Sequence, residues 1–124
     1  MNKNIAGLRT TIYRVADINA AKMWYAKAFQ TQPYFDEPFY VGFDIDGYEL
    51  GLQPEEEPTH DKTESVVAFW GVEDVGQVYN RLIEVGATAW EEPKDVGGNI
   101  VVAKVRDPWK NIIGLIYNPH FKVT

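Results

Sequence analysis

Asp44 and Glu49 flank the dipeptide Asp46-Gly47, and that dipeptide sits between two apolar runs, Phe39 to Ile45 and Tyr48 to Gln53. Asp-Gly in this setting signals a two-residue hairpin turn, which sets Asp44 opposite Glu49 on the partner strand. A buried pair of this kind can serve as general acid and base, because burial drives two carboxyl pKa values apart. Beside a turn, however, the expectation is a rim carboxylate at Glu49 that faces water. The histidines are poorly placed for chemistry: His60 lies beside Thr59 and Asp61, and His120 follows Asn118-Pro119. Both read as surface residues. No Ser stands in a nucleophile-elbow context. Gly97-Gly98 reads as a loop and not as a phosphate cradle, because no helix start follows it. With no cysteine in the chain, thiolate ligands, thiol nucleophiles and disulfides are all excluded. No catalytic residue is singled out. Arg14 can pair with a ligand carboxylate, but pairing with nearby Asp17 is the favoured expectation.

A repeat supplies the strands and helices that carry these residues. Thr10 to Ile18 is a β-rich stretch that reaches an Asp at a helix start. Val67 to Val75 does the same at a constant spacing of 57 residues, from Thr10 to Val67 and from Asp17 to Asp74. Asp17 and Asp74 are natural N-caps. The helices behind them carry apolar stripes, Ile18, Ala21, Tyr25 and Ala28 in the first and Val75, Val78, Leu82 and Val85 in the second. Gly86 is placed to end the second helix as a left-handed cap. Hairpins close both halves. The second pairs Ile100 to Val105 with Ile112 to Tyr117 around the loop Asp107-Pro108-Trp109-Lys110-Asn111. Tyr34-Phe35 and Thr88-Ala89-Trp90 supply one further short strand each. The unit is therefore β-α-β-β-β, used twice. This gives an α+β chain with module 1 over about residues 5–54, an acidic connector over 55–64 and module 2 over 65–119, expected to form a single domain spanning 1–124.

At 124 residues and 45 % hydrophobic, the chain can bury one domain's core. Its apolar runs are far shorter than the ~20 residues of a membrane span. Residues 1–7 contain no signal-peptide stretch, so a cytoplasmic protein is expected. A net charge of −6 argues against nucleic acid and against anionic membrane surfaces as partners. A small-molecule ligand or a protein is the expected partner.

The sequence resembles the glyoxalase / bleomycin resistance / extradiol dioxygenase group, the vicinal oxygen chelate superfamily. Three features carry the likeness across nearly the whole chain. Val15-Ala16-Asp17 with Ala20, Ala21 and Trp24-Tyr25 is similar to that group's V-x-D-x-x-x-A-x-x-F-Y opening. Asp107-Pro108-x-x-Asn111 is similar to its D-P-D-G-N loop, with Trp109 and Lys110 in place of the usual Asp-Gly. The doubled βαβββ pattern is the third. The resemblance implies a half-open, cup-like mixed sheet with helices outside, and homodimers in which cups form across a two-fold. In enzymes of the group it also implies a divalent metal held by His, Gln or Glu from the first and last strands of each module. Such a metal acts as a Lewis acid toward adjacent substrate oxygens.

Carried over residue by residue, those ligand positions fall on Thr10, Gly51 (less well Glu49), Val67 and Gly114. Val and Gly offer no side-chain donor, and a Thr hydroxyl is a poor one for transition metals. No metal and no cofactor are therefore expected, and the reading leans away from an enzyme. Alternation directs Leu50, Leu52, Ile113 and Leu115 toward the helices. The opposite, cup-lining face receives Thr10, Ile12, Arg14, Tyr40, Gly42, Gly51, Gln53, Val67, Phe69, Ile112, Gly114 and Ile116. Such an apolar and aromatic lining suits a small molecule. Gly42, Gly51 and Gly114 leave space that either a ligand or neighbouring aromatic rings can fill. Trp90 and Trp109, beside loops, are candidates for a lid or a dimer contact. Two readings stay open. One is a metal-free cup that sequesters a small, partly apolar or aromatic molecule. The other is a metal-dependent lyase, isomerase or dioxygenase with non-standard ligands, built on Glu49, Asp44, Gln53 and a partner chain's histidine.

Overall fold

The computed structural model describes residues 4–57 and 62–121. His60 lies outside the described residues. The chain falls into two compact units, Met1–Pro58 and Thr59–Thr124, divided within the acidic connector.

The first unit contains β1 (Thr10–Val15), α1 (Ile18–Ala28), β2 (Phe35–Glu37), β3 (Tyr40–Ile45) and β4 (Tyr48–Pro54). Its sheet has the order β1-β4-β3-β2, with β1 parallel to β4 and the other pairs antiparallel. α1 packs on β3 and β4. The alternation along β1 buries Tyr13 and Val15 under the helix and leaves Ile12 and Arg14 exposed. Tyr25, with no exposed surface, stacks on Tyr13 at 5.7 Å and on Phe29 at 5.8 Å between ring centroids. The second residue of the Trp24-Tyr25 pair is thus a core anchor. Leu50 and Leu52 are also fully buried, and each such side chain stabilises the fold by about 1.5–3 kcal/mol.

The second unit contains β5 (Phe69–Gly71), α2 (Val75–Glu84), β6 (Thr88–Asp95), β7 (Val101–Arg106) and β8 (Ile112–Tyr117). Its order, β5-β8-β7-β6, repeats that of the first, again with one parallel pair, β5 with β8. Ile113 and Leu115 pack inward, as alternation predicts. Among the described residues no helix is long and apolar enough to cross a membrane.

The helix ends follow the sequence signals. Asp17 and Asp74 each accept a hydrogen bond from the backbone N–H three residues on, Ala20 at 3.1 Å and Gln77 at 3.0 Å. Gly86, at φ +112°, closes α2, with its own N–H donating to the Ile83 carbonyl and that of Ala87 donating to Leu82. This is the double-bonded left-handed cap, and the positive φ is why glycine stands there.

Four expectations need correction. The buried stripe of α2 is Val75, Tyr79 and Leu82, with Val78 and Val85 only half-buried. Tyr79 fits the same helical spacing and brings the larger apolar surface to the core. Ile18 is likewise half-buried, being the first residue behind the cap. β6 is far longer than Thr88-Ala89-Trp90, because pairing with β7 continues through two register shifts. Pro93 is tolerated within it because β6 is an edge strand. Finally, Val67 precedes β5 instead of lying on it, although the adjacent Ala68 carbonyl accepts from the Gly114 N–H at 3.0 Å.

Candidate functional site

In the first unit, the sheet face turned away from α1 carries Thr10, Ile12 and Arg14 from β1 and Glu49, Gly51 and Gln53 from β4. The parallel register sets them side by side: Thr10 with Glu49, Ile12 with Gly51 and Arg14 with Gln53. β3 adds Tyr40, Gly42 and Asp44, with Gly42 opposite Gly51 and Asp44 opposite Glu49. Asp46 and Gly47, at φ +53° and +94°, form the two-residue turn that fixes this register.

Glu49 lies half-buried at the edge of an open cleft, and hydroxyl groups bind its carboxylate. The Thr10 hydroxyl donates to its Oε1 at 2.7 Å, the Tyr34 hydroxyl donates to its Oε2, and Tyr40 donates as well. Those donors, Tyr34 first, hold the Glu49 carboxyl below the usual carboxylate range despite the opposing effect of partial desolvation. The same bond raises the Tyr34 phenol. Burial first, then the hydrogen bond to Glu49, pushes the Tyr40 phenol up to about 12. At neutral pH the cluster is therefore one carboxylate and three protonated hydroxyls. Asp44 is exposed and accepts the Gly47 N–H at 2.7 Å, so the two carboxylates do not form a buried acid–base pair.

Aromatic rings, and not open space, cover the glycines of this face. A Cβ on Gly51 would overlap the Tyr40 hydroxyl and stand 2.7 Å from its Cζ. On Gly42 it would stand 2.7 Å from Glu49 Oε2 and 2.9 Å from Tyr34 Cε1. Phe35 joins Tyr34, Phe39 and Tyr40 at 6.1–6.5 Å between centroids. Tyr34, Phe35 and Phe39 are 63 %, 39 % and 65 % exposed, so the cluster presents a wet aromatic wall. An open cleft of about 210 Å³ lies beside it, lined by Tyr34, Asp44, Gly47, Tyr48 and Glu49.

In the second unit the corresponding face carries Phe69, Ile112, Gly114 and Ile116, as expected, and also Lys104 and Arg106, which register places beside Gly114 and Ile112. A Cβ on Gly114 would stand 2.7 Å from the Phe69 ring and 2.8 Å from the Ala68 carbonyl. Lys104 lies 5.9 Å from the Phe69 centroid and 3.4 Å from Glu91. Arg106 lies 4.0 Å from the Trp90 ring and 3.6 Å from Glu64. Trp90 is thus a strand residue stacked on a guanidinium and does not flank a loop. These two cations were readable in principle, since Ala103 and Val105 alternate with them. Tyr34 left a fainter signal, an aromatic residue just ahead of a strand that pairs with a glycine.

Other residues serve the loops. Asp107, 2 % exposed, accepts from the backbone N–H groups of Trp109 and Asn111 at 2.8 Å each and from the Asn111 amide at 3.0 Å. Asp107-Pro108-x-x-Asn111 is therefore a structural motif. His120 is exposed, and its Nε2–H donates to the Gly98 carbonyl at 2.6 Å. Asp17 caps its helix, and Arg14 stands exposed beside Gln53.

The sequence profile of the Glyoxalase/Bleomycin resistance protein/Dioxygenase superfamily matches residues 7–115. The chain belongs to this superfamily. No curated protein matches the chain. Solved structures similar to it include a glyoxalase-related enzyme from Fulvimarina pelagi, at 16 % identity and a TM-score of 0.80 over 97 % of this chain and 94 % of that one. A glyoxalase/bleomycin resistance protein/dioxygenase family enzyme from Burkholderia phytofirmans PsJN aligns at 20 % identity and 0.76, covering 90 % and 98 %. A glyoxalase/bleomycin resistance protein from Albidiferax ferrireducens T118 aligns at 15 % and 0.76 over the same shares. At such identities the likeness establishes the glyoxalase-like fold of two βαβββ modules.

The residues at this superfamily's metal positions do not fit a metal. The Thr10 hydroxyl is engaged by Glu49, Gly51 has no donor and lies under Tyr40, Val67 has no donor, and Gly114 lies under Phe69. Among the described residues, no three His, Cys, Asp or Glu side chains gather as a metal site requires.

Proposed function

We propose that this superfamily member binds a small, partly apolar or aromatic molecule without a metal, in the manner of sequestration and not of turnover. The observation that carries the reading is the replacement of the metal position on β4 by the Tyr40 ring, anchored through Glu49 to Thr10 and Tyr34. Binding of this kind needs ring surface and a few fixed polar groups. The exposed rings of Tyr34, Phe35 and Phe39 supply the first, and Glu49, Gln53 and Arg14 supply the second. Acid–base catalysis draws less support, because the hydroxyl donors lower the Glu49 carboxyl and burial pushes the Tyr40 phenol up to about 12, so both move away from neutral pH.

Titration with neutral planar aromatic compounds in chelator-containing buffer tests the reading by calorimetry. Saturable binding that is indifferent to chelator is expected. Loss of all binding on removal of metal, with recovery on its return, would overturn it.

A further inference from the structure

We infer that the Tyr40 side chain is a built-in occupant of the binding place, and that the ligand is a neutral hydroxyaryl compound that displaces its ring and takes over its bond to Glu49. The inference rests on the ligand-binding reading above and names the chemical class of the ligand.

The place that Tyr40 fills is built from other residues. Its floor is Gly51, paired across the strands with Gly42, so that neither position projects a side chain. A Cβ on Gly51 would stand 2.7 Å from Tyr40 Cζ and 2.9 Å from Cε1. A flat ring rests this close to a strand only where the side chain is missing. Tyr34 walls the Gly42 side, with its Cε1 2.9 Å from where a Cβ on Gly42 would stand. Glu49 is held independently by the Thr10 and Tyr34 hydroxyls. Its carboxylate therefore stays in place when Tyr40 leaves, ready to accept from another hydroxyl.

Tyr40 itself is lightly tied. It is the first residue of β3, directly after the turn at Pro38-Phe39. The core packing of that strand is carried by Val41 and Phe43, on the opposite face. The Tyr40 ring is half-buried, with the partly exposed Phe35 at 6.1 Å between centroids. Its release costs the bond to Glu49 and a partial burial, and no core contact. The cleft lined by Tyr34 and Glu49 opens onto the same carboxylate and gives a molecule access from solvent. The class of ligand follows from what Tyr40 does there. A ring without a hydroxyl would leave the acceptor it uncovers unmet, and an acidic ligand would meet Glu49 with like charge.

Calorimetric titration near neutral pH with p-cresol, the Tyr side chain as a free molecule, and with toluene, the same ring without the hydroxyl, is the test. The wild type is expected to bind p-cresol. Tyr40→Ala should bind it at least about tenfold more tightly, since no ring or hydrogen bond has to be given up first. In Tyr40→Ala, p-cresol should exceed toluene by about tenfold, as a hydrogen bond to a carboxylate implies. Tyr40→Phe keeps the ring and loses only its bond to Glu49. Its affinity for p-cresol should fall between the other two, which keeps the test informative if Tyr40→Ala disturbs the fold. Equal affinity of all three forms for p-cresol would overturn the displacement and leave the ligand-binding reading standing. Equal binding of p-cresol and toluene by Tyr40→Ala would overturn the hydroxyaryl class in the same way. Failure of every form to bind p-cresol, with no neutral aromatic bound by the wild type, would overturn both.

Discussion

Glu49 and the groups around it define the chemistry at the scale of single residues, and their protonation gives a testable pH dependence. Glu49 has a folded pKa below its ordinary value of 4.5. Its contribution to stability is therefore complete above that value and is lost as pH falls through the lower, folded one. Tyr40 has the opposite sign. Its folded pKa of about 12 exceeds the ordinary 10.0, so its contribution is complete below pH 10 and is lost as pH rises toward 12. Urea unfolding midpoints should thus fall more steeply between pH 10 and 12 for the wild type than for Tyr40→Phe. In acid, Glu49→Gln should flatten the loss of stability below pH 4.5. Slopes equal to wild type in both variants would contradict the assigned hydrogen bonds. The cluster itself was only half legible in the sequence. Alternation puts Tyr40 and Glu49 on one face, but nothing local to Glu49 announces Thr10, which is 39 residues away and arrives only through the β1-β4 pairing.

At the scale of elements, the chain's own punctuation was informative. The Asp46-Gly47 turn sets the register that opposes Asp44 and Glu49, and Asp17, Asp74 and Gly86 bound the helices as their types suggest. β6 was less legible because it has no periodic pattern: all eight of its residues are exposed, and its length comes from pairing with β7. The loop after β7 shows where this sequence departs from its superfamily's usual spelling. Lys110 stands where the resemblance places glycine, and it adopts φ +72°. That conformation costs an L-residue about 1–2 kcal/mol. Part of the cost is offset by the Arg106 guanidinium, which donates to the Lys110 carbonyl at 2.6 Å, a bond that a glycine would keep. Lys110→Gly should therefore raise the stability of the protein by about 1 kcal/mol, after the extra chain entropy of glycine is allowed for. Chemical denaturation would show it as a rise in midpoint at constant slope; a lower midpoint would contradict the strain argument.

At the scale of the whole molecule, the repeat was the most legible feature. A 57-residue spacing, two Asp caps and two hairpins mark two βαβββ units in the sequence itself. The resemblance carried the metal positions onto Thr10, Gly51, Val67 and Gly114, which are poor ligands or none, and the structure adds a physical reason at the two glycines. Tyr40 and Phe69 stand over Gly51 and Gly114, so the family's donors would find no room there without displacing a ring. The proposed function has this superfamily member work without the superfamily's metal. Metal content of the protein, purified without chelator and re-equilibrated with Ni, Zn, Mn and Fe(II), tests it most directly. No stoichiometric metal of any kind is expected. One tightly held ion per chain would contradict it and return catalysis to the leading place.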